Sequence, residues 1–394
     1  MSINNLNPNT FHENLEERIR LIDAASPEIK DDFYLNRMAK VFHPDRQYMK
    51  IETVTELEKD TKIFRFVPDP NRGTTRCAPF LAGQYLNIYL DIEGMKVNRA
   101  YSISSSPQNA KDGFYELTIK YVQGGLVSRY VLDNWKEGDE VELSAPAGNF
   151  YYQELRDAKT VICLAGGSGI TPFRSMAKAI ADGDESFNLV LLYGSRSEDQ
   201  IIFKDEFDVL GQNEKIKVVH VLSDEEKEGF EHGFITAELI QKYAPKEEAY
   251  SLFVCGPQAM YDFAKSEIAK LGLAKKYVRF ELSGELYDAS SIEGYPGCDQ
   301  STVKITVSIR DMTRTVTGNA NDTILQTFER NGISVPTSCR SGECGFCHSV
   351  VNSGKYYVPK DVDGRRLADL KFGGIHPCVT FPLSDIEIIV PADK

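Results

Sequence analysis

Four cysteines in the last quarter of the chain stand at a spacing that suits an iron-sulfur cluster. Three follow a C-x4-C-x2-C pattern and the fourth lies 31 positions later: Cys339, Cys344, Cys347 and Cys378. Four thiolates at this spacing are the ligand set of a [2Fe-2S] cluster. Because the Cys344-x2-Cys347 step alone would also suit a structural zinc ion, zinc is the alternative. Gly342 and Gly345 keep the segment small, so backbone N–H groups can approach the sulfur atoms.

The segment from Cys339 to Cys347 resembles the cluster loop of plant-type ferredoxins, and the resemblance covers residues 302–394. It implies a β-grasp-type α+β ferredoxin domain in which the four cysteines hold the cluster. Glu343 and His348 depart from the family pattern, which usually has small or neutral residues at these positions.

A second group of residues has the chemistry to bind a flavin. The segment Arg99-Ala100-Tyr101-Ser102-Ile103-Ser104 offers a guanidinium fork for a phosphate, an aromatic ring to stack on isoalloxazine, and hydroxyls for a ring edge such as N5. It resembles the R-x-Y-S-x-S motif of the ferredoxin-NADP⁺ reductase superfamily. Residues 80–85 resemble the F-x-x-G-Q-Y strand of that superfamily, and residues 124–128 resemble its G-G-x-x-S turn.

This resemblance implies a flavin site, with Ser102 as a catalytic residue beside N5. Its cofactor-binding residues would be Arg99, Tyr101, Ser102, Ser104, Gly124, Gly125, Val127 and Ser128. It favours FAD over FMN, because most relatives with the serine turn hold a pyrophosphate.

A glycine-rich turn after an apolar run predicts a dinucleotide site. The turn is Gly166-Gly167-Ser168-Gly169-Ile170-Thr171-Pro172, and such turns bind diphosphate through backbone N–H groups at a helix N-terminus. It resembles the G-G-x-G-I-T-P nicotinamide loop of the same superfamily, and Cys255-Gly256-Pro257 resembles its C-G-P motif. In that motif the cysteine lies near the site of hydride transfer, which makes Cys255 a candidate catalytic residue. A buried core cysteine is the alternative for Cys255, and core positions are predicted for Cys77, Cys163 and Cys298.

The resemblance also implies where the adenosine ribose binds. Ser195 and Arg196 end a strand-like run and look like the segment that holds this ribose, where Arg196 has the charge to bind a 2′-phosphate. Asp224 begins an acidic run after the next strand, and its carboxylate would repel a 2′-phosphate. We therefore predict NADH as the reductant, with NADPH as the alternative.

Local patterns predict the elements that position these groups. The residue pattern over 1–48 predicts a helical extension with two helices. The first is capped at Thr10, and the second begins at Ser26-Pro27 and ends before Pro44. Strand-like runs at 50–54, 85–92, 115–122 and 140–143 predict an antiparallel flavin barrel over 49–153. Runs at 161–164, 189–193, 217–222 and 251–254, alternating with helix-like stretches, predict a parallel α/β nucleotide domain over 154–282. Residues 283–301 predict a linker before the ferredoxin domain at 302–394.

Length and composition agree with several folded domains. The 394 residues are 42% hydrophobic and 26% charged, which excludes disorder as the main state. The formal net charge of −13 leaves no bulk basic surface for nucleic acid. No apolar run is long enough for a membrane span or a signal peptide, so we expect a cytoplasmic protein with reduced cysteines.

These features predict a reductase that accepts a hydride from NAD(P)H on a flavin and passes single electrons through a [2Fe-2S] cluster to an electron-accepting protein. The resemblance suggests an oxygenase or another redox enzyme, such as hybrid-cluster protein, as the acceptor. The alternative is a non-autonomous electron-wiring subunit of a larger redox complex. For residues 1–48 a partner-binding module and a packing extension both remain open.

Overall fold

A helical unit precedes the main body of the protein. The computed structural model describes residues 8–25, 33–58, 60–281 and 285–391, and residues 1–43 form a compact unit of their own. This unit contains helices α1 (Pro8–Asp23) and α2 (Tyr34–Phe42). Because α1 begins before Thr10, this residue lies inside the first turn instead of capping it, which corrects the predicted helix start. The predicted start at Ser26-Pro27 lies outside the described residues.

An antiparallel barrel follows and confirms the predicted flavin-domain fold. Its elements are β1 (Gln47–Glu58), β2 (Thr61–Pro68), β3 (Tyr85–Ile92), β4 (Met95–Ser102), α3 (Pro107–Lys111), β5 (Tyr115–Lys120), α4 (Leu126–Asn134) and β6 (Glu140–Leu143). The strand order is β4-β3-β6-β1-β2-β5, and every pairing is antiparallel. A bridge between Ile103 and Leu117 joins the two edge strands and closes the sheet around a core that includes Phe64, Phe66 and Ile88.

The next domain is a parallel sheet with helices between its strands. Its elements are β7 (Thr160–Gly166), α5 (Thr171–Ala181), β8 (Asn188–Ser195), α6 (Lys204–Leu210), β9 (Ile216–Leu222), β10 (Glu231–His232), α7 (Ala237–Tyr243), β11 (Tyr250–Cys255), α8 (Gln258–Ala269) and β12 (Val278–Phe280). The strand order β10-β9-β8-β7-β11-β12 changes direction between β7 and β11. Ligands of open α/β sheets bind at the carboxyl ends of the strands beside such a switch point. The loops after β7 and β11 therefore line the expected binding crevice.

The C-terminal domain is an α+β fold built on a mixed sheet. Its elements are β13 (Thr302–Ile309), β14 (Met312–Asn319), α9 (Ile324–Arg330), β15 (Ser349–Ser353), β16 (Tyr356–Tyr357), α10 (Leu367–Lys371), β17 (Gly374–Ile375), β18 (Phe381–Pro382) and β19 (Ile386–Val390). The main sheet has the order β14-β13-β19-β15-β17, with β13 and β19 parallel. Helix α9 packs Ile324 and Phe328 on the sheet against Ile305 and Ile388. This arrangement is the predicted β-grasp type.

The segment predicted as a linker is packed against the ferredoxin domain over its described part, residues 285–301. Ala289 is fully buried and its N–H donates to Asn321 O at 3.0 Å. Leu286 O accepts a hydrogen bond from Gln326 Nε2 at 3.0 Å. The segment therefore lacks sequence periodicity because it is irregular, but it is ordered and packed; we call residues 285–301 the strap.

Buried polar contacts join the barrel to the nucleotide domain. Arg174 of α5 donates to Glu116 Oε2 of β5 at 2.8 Å and to Ser104 O at 2.9 Å. Ser175 Oγ donates to Ser105 O at 2.7 Å. These contacts hold the predicted flavin segment next to the helix that follows the nicotinamide loop. Among the described residues no helix combines the length and apolar character that a membrane crossing needs.

Candidate functional site

The four predicted cluster ligands are brought together as two pairs of thiols. Cys339, Cys344 and Cys347 lie between α9 and β15, and Cys378 lies in the turn between β17 and β18. Cys347 Sγ donates to Cys378 Sγ at 3.4 Å, and the thiols of Cys339 and Cys344 are also hydrogen-bonded to each other. In the part of the chain that the structure describes, no three His, Cys, Asp or Glu side chains converge on a position for a single metal ion. Two pairs of thiols fit a cluster with two irons.

Backbone N–H groups stabilise thiolates in this loop. Cys339 Sγ accepts from the N–H groups of Ser341 at 3.5 Å and Cys344 at 3.4 Å. The hydrogen bond from the Cys344 thiol, helped by those from Ser341 and the Cys344 backbone and opposed by burial, lowers the pKa of Cys339 to about 5. Gly342, at φ +86°, is required here because a Cβ would lie 2.4 Å from Val362 O.

The loop has one buried side and one exposed side. Cys339 is buried next to the flavin barrel, whereas Cys344 is exposed and the Phe346 side chain is 53% exposed. The cluster position therefore has one side towards the barrel and one side towards solvent.

Hydrogen bonds attach the residues before Cys339 to the barrel. Asn98 of β4 donates through Nδ2 to Thr337 O at 2.9 Å and accepts at Oδ1 from Thr337 Oγ1 at 2.6 Å. Ser338 Oγ accepts from Asn87 Nδ2 of β3 at 3.1 Å and lies 3.3 Å from Tyr85 Oη. Tyr85 pairs with Ser102 across the two strands. The cluster loop is thus attached to the same strands that carry the predicted flavin residues.

The predicted flavin residues divide into two groups. Tyr101 and Ser102 are half-buried at the end of β4, and burial raises the pKa of Tyr101 to about 12, which keeps its hydroxyl protonated. Ser104, in contrast, is fully buried, and its Oγ is bonded to Glu116 O at 3.0 Å and Thr118 Oγ1 at 2.9 Å. Since this hydroxyl is used inside the barrel, we assign Ser104 a structural role instead of flavin contact.

The serine turn forms the N-terminus of α4. Gly124 adopts φ +75°, and a Cβ built on it would meet no atom within 4 Å. Gly125 is the N-cap, so the next backbone N–H groups have no partner within the helix and can take a phosphate. Ser128 Oγ accepts from Val122 N at 3.1 Å and closes the turn, and the Val127 side chain is in the core, which leaves only its backbone for a ligand.

The two predicted nicotinamide loops touch each other. A Cβ on Gly169 would lie 2.2 Å from Cys255 O, and one on Gly166 would lie 3.1 Å from Pro257 Cδ. Only glycine permits this approach, which joins the turn after β7 to the turn after β11. Gly167, at φ +51°, leads into α5, where Thr171 Oγ1 donates to Ser168 O at 3.1 Å and Pro172 occupies the first turn. Cys255 is buried and Gly256 is half-buried at this junction.

The predicted ribose residues lie on neighbouring strand ends. Asp224 N donates to Arg196 O at 2.9 Å, and Ser223 N donates to Ser195 O at 3.0 Å. Arg196 and Asp224 both have exposed side chains, while Ser195 Oγ is buried with no hydrogen-bond partner. The strand register therefore places the arginine and the aspartate at the same edge of the sheet.

Sequence reasoning missed Glu281, a buried carboxyl at the junction of the domains. Its N–H donates to Val254 O at 2.8 Å, which places it beside Cys255 at the end of the sheet. Burial, with smaller contributions from Glu343 and Cys339, raises its pKa to about 8. Its position directly after the short strand β12, at the carboxyl edge of the sheet, was its signal in the sequence. The barrel residues Asn87 and Asn98 carried no signal.

Comparison with protein families identifies all three domains. Residues 48–152 match the oxidoreductase FAD-binding domain, residues 163–266 the oxidoreductase NAD-binding domain, and residues 307–383 the 2Fe-2S iron-sulfur cluster binding domain. The chain is 27% identical to the glycine betaine monooxygenase reductase subunit of Pseudomonas aeruginosa, over 78% of this chain and 87% of the relative. It is 28% identical to the 3-ketosteroid-9-alpha-monooxygenase ferredoxin reductase component of Rhodococcus rhodochrous, over 86% and 94%.

The fold comparison agrees with these matches. Phthalate dioxygenase reductase, described as a modular structure for electron transfer from pyridine nucleotides to [2Fe-2S], superposes with a TM-score of 0.61 at 25% identity and covers 88% of this chain and 98% of its own. The chain belongs to the ferredoxin-NADP⁺ reductase superfamily, as an NAD(P)H-dependent flavin and iron-sulfur reductase with a C-terminal ferredoxin domain.

Proposed function

We propose that this protein is an NADH-dependent, FAD-containing reductase that supplies single electrons to a separate oxygenase or similar redox protein. The main support is the attachment of the cluster loop to the strands that carry the flavin motif, next to the touching nicotinamide loops. When bound, the flavin supplies the change from two-electron to one-electron transfer between nicotinamide and cluster. The protein's own residues would bind and orient the three redox groups.

The flavin is proposed to bind at the open end of the barrel. Tyr101 would stack on the ring system, Ser102 would hydrogen-bond its N5 edge, and the N-terminus of α4 would bind the phosphates. Arg99 would add a phosphate contact through the guanidinium N–H groups that its hydrogen bonds to Asn98 O and Glu285 leave over. The open space around Gly124 and the free first-turn N–H groups of α4 support this assignment. FAD is proposed over FMN because the matching family model is an FAD-binding domain.

The nicotinamide is proposed to bind across the loops after β7 and β11. Gly166, Gly167 and Gly169 would accept the diphosphate, and Gly256 with Pro257 would border the ring, while buried Cys255 holds the close approach of the two loops. NADH is proposed over NADPH because the strand register puts Asp224 at the same sheet edge as Arg196. A carboxylate there opposes a 2′-phosphate.

The four cysteines are proposed as the complete ligand set of the cluster, with one thiol pair for each iron. The exposed side of the loop, at Cys344 and Phe346, is proposed to face the acceptor. An oxygenase is favoured as acceptor because the glycine betaine and 3-ketosteroid relatives are reductase components of monooxygenases. A reducing, cytoplasmic location is proposed because thiol ligands of a cluster persist in such a compartment.

The test is anaerobic reduction of the purified protein by NADH. We expect the flavin absorption to bleach, then that of the cluster, and an artificial one-electron dye to be reduced catalytically. A chain that holds both cofactors but reduces no dye with either nucleotide would contradict the proposal and favour the electron-wiring subunit. Iron and flavin analysis of the same sample separates that result from poor cofactor loading.

A further inference from the structure

Four buried charged residues join the flavin barrel to the ferredoxin domain. They are Arg99 of β4, Glu285 of the strap, Glu329 of α9 and Arg340 of the cluster loop, and we call them the junction cluster. Their side chains are at most 18% exposed, with Arg340 at 2%. Two guanidinium groups face two carboxylates, so the cluster is neutral as a whole. Buried charges are retained only when they are paired in this way.

Arg340 is the centre of the junction cluster. Its Nη1 and Nη2 donate to the two carboxylate oxygens of Glu329 at 2.7 and 2.8 Å, and its Nε donates to Glu285. Nη1 also donates to Asn98 Oδ1 on the barrel at 3.2 Å. Arg99 Nη2 reaches the other oxygen of Glu285 at 2.9 Å. The rigid guanidinium fork is suited to hold several partners in one geometry.

The backbone of Arg340 is also unusual. It adopts φ +59°, a left-handed conformation that residues other than glycine seldom take. Such a conformation persists when the surrounding contacts determine it, and here they are the four acceptors of the side chain. Because Arg340 directly follows Cys339, these contacts also determine where the first cluster ligand lies.

Asn98 is the matching residue on the barrel. Besides Arg340, it binds both the backbone and the hydroxyl of Thr337, and its Nδ2 lies 3.4 Å from Asn87 Oδ1. Asn98 lies on β4, three residues before Tyr101 of the proposed flavin site. A single asparagine thus connects the cluster loop to the strand that would carry the flavin.

We propose that Arg340 and Asn98 are positioning residues that hold the [2Fe-2S] loop on the flavin barrel for electron transfer. The proposal rests on the function proposed above, and it adds which contacts set the distance between the two redox groups. Neither residue touches the nucleotide site. Their loss is therefore expected to slow the step from flavin to cluster and to leave the step from NADH to flavin unchanged.

The first experiment measures these two steps in the flavin- and iron-loaded protein. In anaerobic stopped-flow with NADH, Arg340→Met and Asn98→Ala should bleach the flavin at the wild-type rate and the cluster about tenfold or more slowly. Because the rate scales with the docked fraction, a tenfold slower step means that the loop is docked in about one tenth of the molecules that are docked in wild type. Arg330→Met is the matched control, since this α9 arginine pairs with Asp322 on the surface and is 62% exposed.

A second readout does not depend on activity. Small-angle scattering of the oxidised protein should give a larger radius of gyration for Arg340→Met and Asn98→Ala than for wild type and Arg330→Met. Iron content and the electron paramagnetic resonance signal of the dithionite-reduced cluster should stay at wild-type values. If Arg340→Met loses iron, Asn98→Ala decides the question, because its position is remote from the ligands in sequence.

Wild-type cluster reduction and wild-type scattering in Asn98→Ala would overturn the proposal. If instead wild type itself shows no flavin reduction by NADH, the proposed function fails, while scattering still reports whether the junction residues hold the domains together.

Discussion

Replacing Arg174 by Met is expected to destabilise the junction between the nucleotide domain and the flavin barrel. The Arg174 side chain is 7% exposed and binds Glu116, Ser104 O and Glu206, at 2.8, 2.9 and 2.7 Å. It also lies over the Phe203 ring, 4.4 Å from the centroid. Methionine keeps much of the volume but removes every donor, so Glu116 loses its buried counterion.

The size of the effect follows from what Glu116 retains. Removing one partner of a buried ion pair costs about 3–5 kcal/mol, because the other charge stays desolvated. Glu116 keeps one further partner, Arg65 Nη2 at 2.9 Å, whose side chain is 37% exposed. We therefore expect Arg174→Met to lower the free energy of unfolding by about 3 kcal/mol, the lower end of this range. The double variant Arg174→Met/Glu116→Gln should recover about 1–2 kcal/mol of this, since no uncompensated carboxylate is left.

The assay is urea unfolding followed by flavin fluorescence, which rises when the flavin leaves its site. Arg174→Met, Glu116→Gln and the double variant complete a mutant cycle, and Lys111→Met, which removes an exposed ion pair to Asp184 at the same junction, is the control. The control should change stability by less than about 1 kcal/mol. Strictly additive effects of the two buried changes would refute the ion-pair reasoning.

The pH dependence gives an independent check. Burial tends to raise the pKa of Glu116, but Arg174 and Arg65 hold it below its usual value. A carboxyl with a lowered pKa in the folded state stabilises the protein above its unfolded pKa and loses that contribution as the pH falls through the folded value. Wild type should therefore lose stability on acidification below about pH 4.5 more steeply than Glu116→Gln.

Cys378→Ser should remove the visible and paramagnetic signals of the cluster and leave the flavin bound; iron content near that of wild type would exclude Cys378 as a ligand. Arg99→Ala should raise the flavin dissociation constant about 10- to 100-fold, since a charge-assisted phosphate contact contributes about 1.5–3 kcal/mol. Arg129→Ala, at an exposed position beside the serine turn, is its control, and equal flavin retention in both variants after dialysis would count against a phosphate contact for Arg99. Asp224→Arg should shift kcat/KM towards NADPH, mainly through KM, because the 2′-phosphate is far from the transferred hydride. Glu228→Arg is the control and should change the preference between NADH and NADPH little. A wild-type preference for NADPH would show that Arg196 dominates the ribose site.

The sequence alone was enough to predict the class of each domain and the cofactor types that the family matches support, a flavin, a nicotinamide nucleotide and a [2Fe-2S] cluster. The spacing of the four cysteines needs no tertiary information, because the ligand loop is largely local. The glycine turns after β7 and before α4 are local in the same sense, since the backbone conformation they require is encoded at the turn itself. The alternating strand and helix patterns likewise predicted the barrel and the parallel sheet.

Only the tertiary structure decided how these sites are joined. Ser104 matches the flavin motif, yet its hydroxyl binds Thr118 on the neighbouring strand β5. Glu285 and Arg340 lie 55 positions apart and become partners only when the strap packs on the ferredoxin domain. Asn98 has no distinctive pattern around it, but it binds Thr337, 239 positions later. Long-range pairing of polar side chains depends on burial that the whole fold creates, and local sequence patterns do not encode it.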